Sequence, residues 1–217
     1  MKIEIWSDVV CPFCYIGKRK FESALEQFPH KDKITVVWKS FQLNPELKTG
    51  SSNSINEYLA THKNISIDEA KRLNSYVTDM AKNAGLTFNL DNAVVSNTFN
   101  AHRFIHFANQ FNKQIEAEES LFRSYFTEGK NIDDLEVLLK IGEELGLDST
   151  ELKLALHNNS FSEDVRGDIY EAFQIGVRGV PFFLFNGKHA VSGAQDSSVF
   201  LRFITKSFDE WSGESSN

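Results

Sequence analysis

The sequence predicts an α/β fold: a mixed central sheet flanked by helices, with a large all-helical segment inserted between its two halves. Three observations predict it. A β-α-β pattern fills the first 43 residues, a hairpin signal followed by a helix lies near the C-terminus, and residues 52 to 160 show helical periodicity with no convincing strand. Sequence periods of 2 and of 3.6 separate the two kinds of segment.

"KIEIWS" at 2–7 alternates and reads as the first strand. The run from Cys11 to Phe28 reads as a helix, with Phe21, Leu25 and Phe28 spaced i, i+4, i+7, and Pro29 ends it. "ITVVWKSFQL" at 34–43 is rich in β-branched and aromatic residues and is the second strand. A crossover of this kind is expected to be right-handed, with its two strands parallel. In the helical stretch, Ser66 with Glu69 and Ser160 with Glu163 have capping-box spacing. Phe104, Phe107, Ala108 and Phe111 share one helical face; so do Leu135, Leu138 and Leu139, and later Val165, Ile169, Ala172, Phe173 and Gly176. In "VPFFLFNGKHAVSG", 180–193, Asn186-Gly187 stands between two strand-like runs, as a type I′ turn with positive φ at both central residues requires. A last helix is expected over roughly 196–211, with Phe200, Leu201, Ile204 and Phe208 facing inward. The expected organisation is a sheet-containing core from 1–50 and 161–212, a helical insertion over 51–160, and a disordered polar tail at 213–217.

The 217 residues, 41% hydrophobic and 24% charged, have the balance of an ordinary soluble globular protein, and 19 Phe against 3 Trp and 5 Tyr point to a Phe-rich core. A net charge of -7 argues against a broad phosphate-binding surface, so no nucleic-acid partner is expected. "GKRK" at 17–20 reads as a solvated helix face. No apolar run approaches the ~20 residues that span a bilayer, so no membrane partner is expected. The N-terminus reaches Glu4 and Asp8 without an apolar stretch, which does not read as a secretory signal, and the expected compartment is the cytoplasm. Thiols are kept reduced there, so a lone Cys-x-x-Cys is expected to be catalytic or metal-binding rather than a structural staple.

Both cysteines, Cys11 and Cys14, lie in "SDVVCPFCYIGK", where the strand pattern gives way to the helix pattern. Free N–H groups and the dipole at a helix start favour negative charge, which suits a Cys11 thiolate. Pro12 fits the first helical turn, where its missing N–H costs nothing. Cys14, one turn further in, is in reach of Cys11 and expected to be more buried. Thiol chemistry then divides: Cys11 exchanges with a substrate disulfide, and Cys14 resolves the mixed disulfide. Two alternatives stand beside this. A structural zinc needs four ligands, but the histidines (His30, His62, His102, His106, His157, His189) form no matching pair beside the motif, so no metal site is expected. The pair could also be two inert buried thiols. Far along the chain, "GVRGVPFF" places Pro181 at the start of a strand after Gly179-Val180. Such a proline can hold a cis bond or simply initiate the strand in trans.

"CPFC" opening a helix after a strand, with "GVPFFLFNG" leading into the hairpin, resembles the thioredoxin superfamily, and the helical insertion resembles its DsbA family. Together, "SDVVCPFCYIGK", "FQLNPEL" (41–47), "NTFNAHR" (97–103) and "GVRGVPFF", across residues 2 to about 210, look like the FrnE-type branch of cytosolic DsbA-like proteins. The resemblance implies a thioredoxin-like, DsbA-like fold and a thiol–disulfide oxidoreductase or disulfide isomerase. Cys11 is then the nucleophile, Cys14 the resolving cysteine, Pro181 the cis-proline, and Val180 the residue whose backbone pairs with an extended substrate. Two positions depart from the pattern. Relatives with CPHC carry a thiolate-stabilising histidine where this chain has Phe13, and the acid many members place six residues before the nucleophile is Ile5 here. Pro12, Phe13 and Pro181 are thus the expected redox-tuning residues, and the expected enzyme is a weaker oxidant than its CPHC relatives.

"NTFNAHR" is open to three readings. Asn97, Asn100, His102 and Arg103 could face the active-site groove and contact substrate, or could cap and pack a helix; His102 and His106 also have an i, i+4 spacing that can hold a metal. The resemblance implies no tightly bound cofactor beyond the Cys11–Cys14 disulfide, with glutathione as candidate reductant or co-substrate. Expected partners are protein or small-molecule thiols and disulfides, for a monomer or homodimer. The competing functions are a glutathione-dependent transferase or isomerase of the kappa-class or hydroxychromene-carboxylate type, which typically has serine at the nucleophile position, and a chaperone-like module whose thiols are incidental.

Overall fold

The computed structural model describes residues 1–51 and 54–214. Its element order is β1 (Lys2–Ser7), α1 (Pro12–Glu26), β2 (Thr35–Ser40), α2 (Ile55–Lys63), α3 (Ile67–Asn83), α4 (Phe99–Asn109), α5 (Gln114–Phe126), α6 (Leu135–Glu144), α7 (Ser149–His157), α8 (Ser162–Gln174), β3 (Phe182–Phe185), β4 (His189–Ser192) and α9 (Ser197–Glu214). The strands form one mixed sheet in the order β2-β1-β3-β4. β1 runs parallel to β2, Ile5 opposite Trp38, and antiparallel to β3, Ile5 opposite Phe183. The β3–β4 turn has Asn186 at φ 50° and Gly187 at φ 69°, the positive pair a type I′ turn needs.

The pleat sorts the strand residues onto two faces. Ile3, Ile5, Phe183 and Phe185 meet Phe21 of α1 and Phe200 and Ile204 of α9 in one core. On the opposite face Trp6, Phe182 and Leu184 meet Ala172 of α8. A third core gathers the other helices around Phe104, Leu121, Phe122 and Phe126, and Cys11, Cys14, Tyr15 and Ile16 belong to it. The start of α1 is therefore the seam between the sheet and the helical block. Among the described residues no strand lies between β2 and β3.

Four expectations about individual helices change. Ser66 caps α3 by accepting the Glu69 N–H at 3.2 Å, but Ser160 caps nothing: α8 is preceded by Phe161 at φ 63°, and the Ser160 N–H is spent on the Ala155 carbonyl of α7. That left-handed residue is where the chain reverses between α7 and α8. Phe111 is exposed because α4 ends two residues earlier. On α8 it is Asp168, not Phe173, that joins Val165 and Ala172 inside; Phe173 is 76% exposed. The reason is polar: Asp168 accepts the Ser40 N–H at 2.9 Å and pairs with Lys39 at 3.0 Å, which fastens α8 to the edge strand β2. Finally, α9 continues through Glu214, two residues into the expected tail; 215–217 lie outside the described residues.

Candidate active site

Cys11 is the N-cap of α1, with extended backbone at φ -86° and ψ 113°, and Pro12 occupies the first turn. A tight turn, closed by the Cys11 N–H on the Asp8 carbonyl at 2.9 Å, brings the chain from β1 into the helix. Cys11 is 3% exposed and Cys14 wholly buried; neither forms a disulfide. The Cys14 N–H donates to the Cys11 carbonyl at 3.0 Å, which stacks the two residues along one turn. Burial pushes the Cys14 thiol up, and the neighbouring Cys11 sulfur adds to this, while the Asp8 backbone and the Ser7 hydroxyl act in the opposite direction. The two cysteines are thus unequal: the inner one is held as the neutral thiol.

The segment before β3 closes the site from the other side. The Cys11 thiol donates to the Val180 carbonyl at 3.6 Å, and the Val180–Pro181 peptide is cis. Pro181 also lies against α1: a Cβ placed on Gly17 would sit 3.0 Å from Pro181 Cγ. A side chain at position 17 would thus press on the very segment that faces Cys11.

Two further stretches converge here through Asp8. Its Oδ2 accepts the Leu43 N–H at 2.8 Å, pinning the loop after β2. Its Oδ1 faces His102 Nε2 at 3.5 Å, an ion-pair distance, and neither atom has a hydrogen-bond partner despite full burial. Burial works against charging His102, but Asp8, with Glu118 and the Phe41 carbonyl behind it, outweighs this and shifts the imidazole upward. Asn97 ties the same loop to α4, donating to the Pro45 and Leu47 carbonyls at 3.2 and 2.8 Å and accepting the Phe99 N–H at 2.8 Å. So "FQLNPEL" and "NTFNAHR" are held to each other and to the turn that carries Cys11.

The expected groove residues separate. His102 lies under the turn, buried, rather than in an open groove. Asn100 and Arg103 point elsewhere: Arg103 donates to the Ala155, Leu156 and Ser160 carbonyls at 3.0, 2.8 and 2.8 Å, satisfying the end of α7, and to Asn100 Oδ1 at 2.8 Å. Both line a cavity of about 730 Å³ with Asp133, Lys153 and His157, and neither cysteine nor Pro181 borders it. His102 and His106 serve different partners, since His106 Nε2 meets Asp168 at 3.0 Å and Ser40 at 3.2 Å. Both contacts fall on one ring nitrogen, so no Ser-His-Asp proton path runs through that ring. Among the described residues no group of three or more His, Cys, Asp or Glu is arranged to hold a metal ion. Phe13 is 40% exposed beside Cys11.

Several site residues were not among the expected ones. Glu118 of α5 accepts from the Ser7 hydroxyl at 2.8 Å, and both are buried. Burial pushes its carboxyl up to about 7, against the pull of His102, Ser7 and Lys18. Next to it, Glu119 anchors α1: Tyr15 donates to it at 2.6 Å, Lys18 at 2.6 Å, and Arg19 also pairs with it. Tyr15 stacks on Phe122 with ring centroids 4.7 Å apart. A signal for Glu118 was present, because Glu118, Leu121, Phe122 and Tyr125 fall at i, i+3, i+4, i+7 on the buried stripe of α5.

Residues 2–205 match the model of the DSBA-like thioredoxin domain. The chain belongs to that family. Within it, the chain is similar to the Bacillus subtilis protein YwbO, 30% identical over 207 residues, 94% of this chain and 95% of that one. Among solved structures, a probable DsbA oxidoreductase from Streptomyces coelicolor superposes with a TM-score of 0.91 at 32% identity, over 97% of this chain and 91% of that one. The cytosolic disulfide reductase DsbM of Pseudomonas aeruginosa, at a TM-score of 0.64 and 16% identity over 99% and 98% of the two chains, shares the fold. Thiol–disulfide oxidoreductase chemistry is the activity this DsbA-like family suggests, and no helix in the described residues is long and apolar enough to cross a membrane.

Proposed function

We propose that the chain is a thiol–disulfide oxidoreductase working through the Cys11/Cys14 dithiol. The observation that carries this reading is the inequality of the pair: Cys11 caps a helix 3.6 Å from the Val180 carbonyl, while Cys14 is sealed behind it. The Cys11 thiolate attacks one sulfur of a substrate disulfide, forming a mixed disulfide and releasing the other sulfur as a thiolate. Cys14 then attacks the Cys11 sulfur, closing the Cys11–Cys14 disulfide and releasing the reduced substrate. The backbone at Val180 receives an extended substrate segment, and Phe13 offers it an apolar surface. The role is cytosolic, in the FrnE-type branch, with the convergence of "FQLNPEL" and "NTFNAHR" on the Cys11 turn as support. Glutathione is the proposed small-molecule reductant; the Pseudomonas DsbM was also solved with GSH.

Dithiothreitol-driven reduction of insulin tests the reading. The native chain accelerates it and Cys11→Ser does not; full activity in Cys11→Ser would refute the assignment. Catalysis with glutathione and an electrophile that survives Cys14→Ala would instead favour a transferase.

A further inference from the structure

The cavity of about 730 Å³ in the helical insertion lies apart from the dithiol: no residue of the β1–α1 turn, of α1 or of the Pro181 segment lines it. Its volume falls in the range of sites for small organic ligands, about 300–1,000 Å³. Three helices wall it. Asn100 and Arg103 of α4 are one turn apart, as are Leu135 and Leu138 of α6. On α7, Thr150, Lys153, Leu154 and His157 fall at i, i+3, i+4 and i+7, a single helix face. That face is mixed, and its Leu154 is 59% exposed, apolar surface that a ligand would cover.

The charges around this space do not balance. Arg103 is 2% exposed, and burial works against its charge. Four of its five N–H groups are engaged, by the Ala155, Leu156 and Ser160 carbonyls and by Asn100 Oδ1. A helix end offers only about half an elementary charge, so these carbonyls leave part of the guanidinium unanswered. The remaining N–H, on Nη1, has no hydrogen-bond partner among the described residues. Lys153 and His157 stand on the cavity wall, and among the described residues neither is paired with an acid. Of the lining residues Asp133 alone is acidic, and it is already engaged by the Thr49 hydroxyl at 2.6 Å and the Asn100 amide at 2.9 Å. Asn100 thus stands between that carboxylate and Arg103.

We propose that this cavity binds a small amphipathic carboxylate, its head on Arg103 Nη1 and the Lys153 ammonium and its apolar body between Leu135, Leu138 and Leu154. Capping of α7 accounts for Arg103, but not for the leucines or the second cation beside it. A carboxylate supplies the missing negative charge through charge-assisted hydrogen bonds, the stronger kind. The leucines favour an anion with an apolar body over a bare inorganic one, because covering them removes apolar surface from water. The site is independent of the thiol chemistry and involves no covalent step.

The probe is 2-naphthoate, titrated into the full-length native chain by isothermal titration calorimetry. Its neutral likeness 2-naphthamide and inorganic phosphate, an anion without an apolar body, are the controls. The native chain takes up one 2-naphthoate per molecule and binds the amide and phosphate at least about ten-fold more weakly. Lys153→Glu, at an exposed position, weakens 2-naphthoate about ten-fold or more. Thr150→Trp, which fills the space from its edge, abolishes binding; Lys153→Glu decides alone if that variant does not fold. Cys11→Ser binds 2-naphthoate as the native chain does. Absence of 2-naphthoate binding to the native chain overturns the proposal, as does amide or phosphate bound as tightly as the carboxylate. Native affinity in Lys153→Glu or in folded Thr150→Trp also overturns it, because the anion then sits elsewhere.

Discussion

The Cys11 sulfur lies 3.6 Å from the carbonyl oxygen of Val180, a residue 169 positions away in the chain. Cys11 is fixed by the β1–α1 turn and Val180 by the approach to β3, and β1 and β3 are sheet neighbours. The sheet pairing therefore delivers the Val180 backbone to the thiol.

That delivery depends on Gly17. Replacing it with alanine would gain about 1 kcal/mol in helix propensity, but the new Cβ would crowd Pro181 Cγ at 3.0 Å. Overpacking of this kind costs about 1–3 kcal/mol. Gly17→Ala is expected to leave the urea midpoint little changed, while moving the Pro181 segment by a few tenths of an ångström. Attack by Cys11 should slow about three- to ten-fold in stopped-flow with a small disulfide. An unaltered rate would show that the segment adapts without consequence.

Phe13 is the residue through which redox strength should be adjustable. An imidazolium at this position would stabilise the reduced thiolate form across a short distance, whereas a phenyl ring does not. Phe13→His is expected to raise the reduction potential by about 30 mV or more, the equivalent of about 1.4 kcal/mol for a two-electron couple. Equilibration against glutathione buffers measures this; a potential unchanged or lowered would remove Phe13 from the account.

Glu119 should govern acid stability. Burial opposes its ionisation, yet Arg19 and Lys18 hold its carboxyl down to about 2. A depressed folded value stabilises the fold above the unfolded value of about 4.5, and this contribution is lost as pH falls toward 2. Glu119→Gln leaves the buried Lys18 with Glu22 alone and is expected to cost about 1–3 kcal/mol at pH 7, reduced from a fully buried pair because Glu119 is partly solvated. Urea unfolding should show native and variant converging between pH 4.5 and 2. Parallel curves over that range would contradict the pairing.

Glu118 carries the opposite sign. Its folded value, about 7, lies above 4.5, so its contribution is complete below 4.5 and is lost as pH rises through 7. Relative to the native chain, Glu118→Gln should gain stability from pH 4.5 to 8, by up to about 3 kcal/mol. The same urea series reads this out, and a flat difference would mean that Glu118 is not a buried titrating acid.

What could be read in advance follows how local each cause is. The β-α-β start, the Asn186-Gly187 turn and the Ser66 cap each depend on a few adjacent residues, and they appear where the pattern places them. Cys11 and Cys14 were legible because a helix start and a Cys-x-x-Cys spacing coincide. The Ser160 cap failed because a left-handed Phe161, imposed by the α7–α8 reversal, decides where α8 begins. Phe173 and Asp168 exchanged sides because partners on β2 and α4 make a buried carboxylate affordable. The stripe of α5 could place Glu118 inside, but its partner Ser7 is 111 residues away, and Arg103 is 52–57 residues from the carbonyls it caps, distances over which no local pattern names the partner.

The central claim, that Cys11 attacks and Cys14 resolves, is tested most directly by Cys14→Ala. The variant is incubated with a disulfide-containing protein substrate, quenched in acid and analysed by mass spectrometry under non-reducing conditions. The account predicts a stable mixed disulfide through Cys11, reversed by dithiothreitol and absent when Cys11 is also replaced by Ser. A Cys14→Ala chain that turns over substrate disulfides at the native rate without accumulating that adduct would contradict it.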